Sequence, residues 1–354
     1  MNTLPRHVYA YFSGPYENVG DALIRRRALA WMQDLGEPHL LVGGRPSAEW
    51  NDSLGISTSD QTYNSWGSWL RSIAFKSGKR PVLVLEPGEF NTDARFLKLL
   101  LTMLFVSIAV RARGGSVVQM PRSMAQSSRV GKLIYAATLL KPKAALWREK
   151  VSWGSFRKVG HVVPDIGFDD PDSLDTKLQP RTHLVISLRV DRPAPDPQVI
   201  AWLREFAFEA GLEITAVSQV AEDDPRTREL AETLASEVLL WGDSTSNDQE
   251  ASLRDLYGKT AMVWSDRLHV LVLGALHGAV PIEIVGAPNG KVAKHFDAAG
   301  IANVSFSSKE FPNREVLKML LSEQLERSGS IASSVADARL SLSSARSKIA
   351  VAST

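Results

Sequence analysis

The stretch MVWSDRLHVLVLGALHGAVPIEIV, residues 262–285, decides the fold. Its first three residues read as the end of a buried strand, Ser265 and Asp266 as a helix cap, and Leu268–Leu276 as an apolar helix. Gly278 stops that helix before a second strand at Val280–Val285. Strand, helix, strand is the unit from which parallel sheets are wound. Arg267 and His269 fall in the first helical turn, where backbone amides lack intrahelical acceptors and the macrodipole is positive. Such a helix start suits an anion. Positions 267 and 269 differ by about 200° around the axis, so they cannot share a face and would flank the helix mouth. A core histidine bonded to a carbonyl is the other reading of His269.

Similar units precede this one. Residues 7–13 alternate as a first strand, which Gly14 and Pro15 end. Asn18 then caps a helix carrying Leu23, Ala28, Trp31 and Leu35 at helical spacing, with Asp21 in the capping-box place and Gly36 closing it. Strands follow at 80–85, 116–120 and 144–147, separated by helices at 94–112 and 130–140. Residues 44–66 are a polar excursion longer than compact domains need, a candidate lid or acceptor-binding loop. The acidic, proline-containing segment between Phe168 and His183 reads as a domain boundary. Beyond it come strands at 184–188, 213–217 and 238–240, with helices at 197–210, 226–236 and 249–257. Two doubly wound α/β halves facing each other across a cleft are expected, with ligands at the strands' carboxyl ends.

Composition narrows the function classes. The 354 residues carry a net charge of +2 without a Lys/Arg block, which argues against a nucleic-acid partner. The absence of cysteine removes disulfides, thiolate metal sites and a cysteine nucleophile. Residues 1–14 show no basic segment followed by an apolar one, so no signal peptide is read there and a cytoplasmic location is the default. The most apolar run, 96–110, is fifteen residues long and includes Lys98. A membrane span needs about 20, so a buried helix is expected. Near the end, Ile331, Val335, Ala338, Leu342, Ala345 and Ile349 recur at three- or four-residue spacing. That stripe either packs on the body or lies on a membrane surface.

Chemistry is sparse by motif. HExxH, an EF-hand loop, Walker A, G-x-G-x-x-G and G-x-S-x-G are all missing, so neither a metal nor a serine nucleophile is expected. What remains is a set of arginines at strand ends, Arg122, Arg148, Arg189 and Arg267. Guanidinium offers planar, bidentate recognition of carboxylate or phosphate, so two in one cleft could hold a dianion. Taken singly, each reads as easily as a surface or ion-pair arginine.

These residues bring out a family likeness. The chain resembles the polysaccharide pyruvyltransferases through N-x-G-D at Asn18, Gly20 and Asp21; R-E-x-x-S at Arg148, Glu149 and Ser152 with Pro164 and Asp165 beyond; Arg189 at a strand end; and S-x-R-L-H at Ser265, Arg267, Leu268 and His269, followed by Gly278, Pro281 and Lys291. The resemblance implies a GT-B-like pair of Rossmann-like domains: 1–175 on the acceptor side, 180–325 on the phosphoenolpyruvate side, and a Ser/Ala-rich helix or tail at 326–354. It also implies pyruvate transfer from phosphoenolpyruvate, without a cofactor, to a sugar of a surface-polysaccharide precursor, lipid-linked and met at the inner membrane face with peripheral contact. His269 becomes the candidate acid and Asp21 or Glu89 the candidate base. Arg189, Arg267, Leu268, Ser265 and Lys291 are candidate donor contacts, while Asn18, Gly20, Glu89, Arg122 and Arg148 are candidate cleft-lining residues. Where the family often has G-G-G and Gln-Ser, this chain has Pro87-Gly88-Glu89 and Arg122-Ser123, which leaves first-domain donor contacts and acceptor choice open. The rival readings are a nucleotide-sugar glycosyltransferase of the same shape and a catalytically silent glycan- or anion-binding protein.

Overall fold

The computed structural model describes residues 6–14, 16–42, 48–58, 60–76, 80–173 and 180–353. The chain divides into two compact units, one of Met1–Pro15, Asp21–Ile166 and Leu340–Thr354, the other of Tyr16–Gly20 and Gly167–Arg339. Each unit is built on its own parallel sheet.

In the first unit the strands are β1 (His7–Phe12), β2 (Glu37–Val42), β3 (Gln61–Tyr63), β4 (Val82–Leu85), β5 (Gly88–Thr92), β6 (Ser116–Ser127), β7 (Ala144–Trp147) and β8 (His161–Val162). Their order is β3-β2-β1-β4-β6-β7-β8, with β5 pairing along the far half of β6. β4 is apolar throughout and fully buried, as a strand covered on both faces must be. Tyr9, Leu83, Val117 and Trp147 form one core cluster with Phe90, Tyr135 and Phe156.

The second unit contains β9 (His183–Ser187), β10 (Glu213–Val217), β11 (Glu237–Leu239), β12 (Thr260–Ser265), β13 (Val280–Val285) and β14 (Ser305–Ser307). They lie in the order β11-β10-β9-β12-β13-β14. This is the Rossmann order, in which the winding direction reverses between the first and fourth strands and leaves an open crevice at their carboxyl ends. Here those strands are β9 and β12, paired in parallel up to Ser187 opposite Ser265. The helix Leu268–Leu276 follows directly, and eight of its nine residues are buried.

Several local expectations change. β2 and β5 were not anticipated; the apolar His39–Val42 run and the Glu-Phe-Asn alternation are too short to stand out. β6 runs to Ser127 rather than stopping near 120, because its second half gains β5 as a partner. The excursion at 44–66 contains the helix Ala48–Ser53 and β3, while residues 44–47 and 59 of it lie outside the described residues, as does 174–179 of the expected boundary. The apolar run 96–110 forms the helix Leu97–Ala112, but only Leu100, Val106, Ser107 and Val110 are buried on it. The C-terminal stripe behaves oppositely. All six of its apolar residues are buried along the helix Ser328–Ser353, which removes them as a membrane-facing surface. Among the described residues, no helix is long and apolar enough to cross a membrane.

Candidate functional site

The crevice of the second unit is shaped by side chains that tie β9 to β12. Ser265 donates its hydroxyl to the Ser187 carbonyl at 2.5 Å and accepts the Arg267 amide at 3.0 Å, so this fully buried serine shapes the turn. Asp266 accepts the Arg189 amide at 3.0 Å. The helix cap position therefore falls to Arg267, and no side chain caps it. Asp266, expected in a capping role, is spent on holding the end of β9. Leu268 is buried, which leaves its backbone rather than its side chain for a ligand.

Arg267 and His269 face different neighbours. The Arg267 guanidinium grips Asp223 through Nε and through Nη2 at 2.7 Å, and the same carboxylate accepts the Val190 amide at 3.0 Å. Asp223 is completely buried, so losing Arg267 would strand a charge. His269 packs instead on the N-x-G-D turn. A Cβ built on Gly20 would lie 2.5 Å from the His269 Cβ, so only glycine fits there without displacement. The turn is held to β10's exit by an amide bond from Val19 to the Gln219 carbonyl at 3.2 Å and by the bridge of Asn18 with Val220. Asn18, Gly20 and His269 thus come together within this unit.

Arg189, about a third exposed, forms a fork-to-fork pair with the exposed Asp191 at 2.7 and 2.6 Å, which raises its pKa further. An exposed pair is worth little, so an incoming anion can replace Asp191. Arg192 reaches Asp266 at 3.5 Å and Glu283 at 4.0 Å. Burial pushes both of those carboxyls above their ordinary values, against the opposing pull of Arg192. Sequence reasoning missed Asp223, Arg192 and Glu283, since a lone charged residue in a loop or mid-strand has no pattern. Lys291 starts the helix Lys291–Ala298, which follows β13 on the same carboxyl edge.

In the first unit the corresponding strand ends enclose a pocket of about 120 Å³ lined by Tyr11, Ser13, Glu86, Glu89, Phe90 and Arg122. Glu86 accepts Ser13 through its amide at 3.0 Å and its hydroxyl at 2.8 Å, and lies 3.4 Å from Arg25. Arg25 is also bonded to Asp21 at 2.8 Å, so the Asp21 carboxylate is engaged within its own helix. Arg122 stacks over Phe90 at 4.5 Å and donates to the Tyr135 hydroxyl at 3.2 Å. Arg148 does not line solvent. It is buried, 2.6 Å from Asp165, with Nε on the Ser123 hydroxyl. Among the described residues one group could hold a metal: His7, Glu37 and His39, at the opposite, amino-terminal ends of β1 and β2. No motif search finds it, because strand register and not sequence spacing assembles it.

The polysaccharide pyruvyl transferase family model matches residues 18–282. The chain belongs to that family. The matched span of this pyruvyl transferase family member begins at the Asn18 turn and ends within β13, so it takes in both sheets. The R-E-x-x-S motif is a brace: Glu149 caps the helix Lys150–Ser155 through two amides at 2.7 Å, and Ser152 accepts the Met124 amide at 2.8 Å. A comparison with curated proteins finds no match. Among solved structures, the UDP-GlcNAc 2-epimerase of Neisseria meningitidis bound to UDP-GlcNAc is similar with a TM-score of 0.58 at 9% identity, covering 93% of this chain and 94% of that one. A putative UDP-N-acetylglucosamine 2-epimerase from Listeria monocytogenes gives 0.55 at 11%, covering 93% and 90%. A glycosyltransferase from Rickettsia africae gives 0.53 at 12%, covering 99% and 94%. At such identities the likeness speaks for the fold alone, the GT-B-like class expected from the sequence.

Proposed function

We propose that the protein transfers pyruvate from phosphoenolpyruvate onto two hydroxyls of one sugar in a polysaccharide precursor, giving a pyruvate ketal and inorganic phosphate. Family membership over 18–282 carries this reading. The presence of Arg189, Arg267 and His269 at the β9–β12 crevice supports it.

In the first step His269 donates a proton to the methylene carbon of the donor, which becomes a methyl group, and the neighbouring carbon becomes a cation. A sugar hydroxyl adds there and loses its proton. The carbon–oxygen bond to phosphate then breaks with the electron pair leaving on phosphate, and a second hydroxyl closes the ketal. One of the two hydroxyl protons restores His269; the other leaves with phosphate. Histidine suits this work because it titrates near neutrality. Arg189, released from Asp191, and the outer edge of Arg267 hold the carboxylate and phosphate, with Lys291 and the helix-start amides adding to the positive field. The pocket of the first unit, with an aromatic wall and acids, is assigned to the acceptor sugar. Glu89, exposed in that pocket, and Asp21, bonded to Arg25, are the candidate bases.

His269→Ala should lower turnover of phosphoenolpyruvate about a hundred- to ten-thousandfold while leaving donor binding nearly intact. Full turnover by that variant would remove the acid assignment. Binding of a UDP-sugar without any phosphoenolpyruvate turnover would favour the glycosyltransferase reading.

A further inference from the structure

The helix Leu97–Ala112, expected to be buried, turns an apolar face to solvent. Leu101, Phe105 and Ile108 are spaced four and three residues apart, on one side, and Phe105 is 66% exposed. The helix Arg129–Thr138 packs beside it and adds Val130 and Leu133, the latter 70% exposed. Two arginines tie neighbouring backbone to the first helix. Arg111 donates to the carbonyls of Thr138 at 2.8 Å and Leu140 at 2.7 Å, and Arg113 to that of Ala74 at 2.6 Å, next in sequence to the exposed Phe75; the Leu140 side chain is exposed as well. Of the thirteen large hydrophobics exposed among the described residues, eight lie between Leu70 and Leu140, and the second unit contributes three, Phe208, Val238 and Met319. An apolar patch gathered in this way marks an interaction surface.

Charge identifies the occupant. From Ala94 to Trp147 the sequence contains no aspartate or glutamate, but nine basic residues: Arg95, Lys98, Arg111, Arg113, Arg122, Arg129, Lys132, Lys141 and Lys143. The whole chain carries only +2, so the cationic excess is concentrated on the segment that bears the patch. Lys98, Arg129 and Lys141 are exposed and stand in sequence beside its apolar side chains Leu101, Val130 and Leu140, and Asp93, just before the first helix, is paired with Arg95 at 3.0 Å. Apolar side chains ringed by cations match a bilayer of anionic phospholipid, where rings and branched chains enter the acyl boundary while ammonium and guanidinium groups meet headgroup phosphates.

We propose that this face of the first unit docks the protein on an anionic membrane surface without crossing it. The surface belongs to the helices Leu97–Ala112 and Arg129–Thr138 and not to the C-terminal helix, whose apolar stripe is buried. The proposal is independent of the ketal-forming chemistry, since none of its residues is assigned to that reaction.

Vesicle flotation of the full-length protein tests it, with vesicles of phosphatidylcholine alone and of phosphatidylcholine mixed with phosphatidylglycerol. The expected result is flotation with the mixed vesicles only, weakened by added salt, and lowered about tenfold in a Phe105→Ser/Leu133→Ser variant and in a Lys98→Glu/Lys141→Glu variant. All four side chains are exposed, so folding should be retained, and circular dichroism with thermal melting verifies it. Absence of flotation with mixed vesicles, or flotation unchanged in both variants, overturns the proposal. So does self-association in sedimentation that the Phe105→Ser/Leu133→Ser change abolishes while vesicles bind nothing, because the occupant would then be a second copy of the chain.

Discussion

Gly20→Ala tests how the site is assembled. A new Cβ would stand 2.5 Å from the His269 Cβ and 2.9 Å from its Cγ and Nδ1. Carbon atoms prefer about 3.5–4.0 Å, so the histidine or the turn must move by about 1 Å. Two effects oppose each other. Gly20 sits in the first turn of the helix Val19–Gln33, where replacing glycine by alanine ordinarily stabilises by about 0.4–1 kcal/mol. Overpacking costs about 1–3 kcal/mol, and the clash here is with Cβ rather than with the flexible end of a side chain, so overpacking should win. The expected net loss is about 1–2 kcal/mol, read as a lower denaturation midpoint. Displacing a proton donor by about 1 Å can cost about a hundredfold in turnover, so phosphoenolpyruvate consumption should fall by that order. A His269→Gly background removes the clash, and there Gly20→Ala should be neutral or stabilising, a coupling of more than about 1 kcal/mol. Additivity within about 0.5 kcal/mol would refute the contact argument.

Other predictions follow from the same geometry. Arg189→Ala should reduce kcat/KM for phosphoenolpyruvate about ten- to a hundredfold, the worth of a charge-assisted bond, with little change in stability because its partner Asp191 is exposed; wild-type kcat/KM would remove it as a clamp. Arg148→Met should destabilise by about 3–5 kcal/mol, since Asp165 would be left charged and buried, and the loss should appear in the denaturation midpoint and not as a specific rise in KM. Burial raises the folded-state pKa of Glu283, so the folded protein holds its proton more tightly than the unfolded chain does. That contribution favours folding below the ordinary glutamate range and is lost as pH rises through the raised value. Glu283→Gln should therefore flatten the decline of stability with rising pH on the acid side of neutrality, and an unaltered slope in midpoint against pH would contradict this.

Much of the second sheet was legible because its signals are local. Leu268–Leu276 and Val280–Val285 are bounded in the structure as the sequence has them, since an apolar run ended by glycine admits few alternatives. Arg189 and Arg267 were legible as strand-end cations, and the family likeness singled out Gly20. Their partners were not. Asp223 follows β10 by several residues and meets Arg267 only because β10 and β12 lie on either side of β9. Arg148 read as a site residue for the same reason in reverse: its distinctive place in a motif reflects burial with Asp165, and burial is a property of the fold. The Leu97–Ala112 helix shows the limit of hydropathy. An apolar sequence implies that some face seeks cover, without saying whether protein or membrane supplies it.

The central claim is pyruvate transfer, and it is tested most directly by incubating the purified protein with phosphoenolpyruvate and a panel of glycan acceptors. Phosphate release and the mass of each glycan are followed together. The prediction is that, with at least one acceptor, phosphate appears in equal amount to a glycan heavier by one pyruvic acid less one water, and that His269→Ala abolishes both. No mass gain on any acceptor, or phosphate release with no modified glycan, would contradict it.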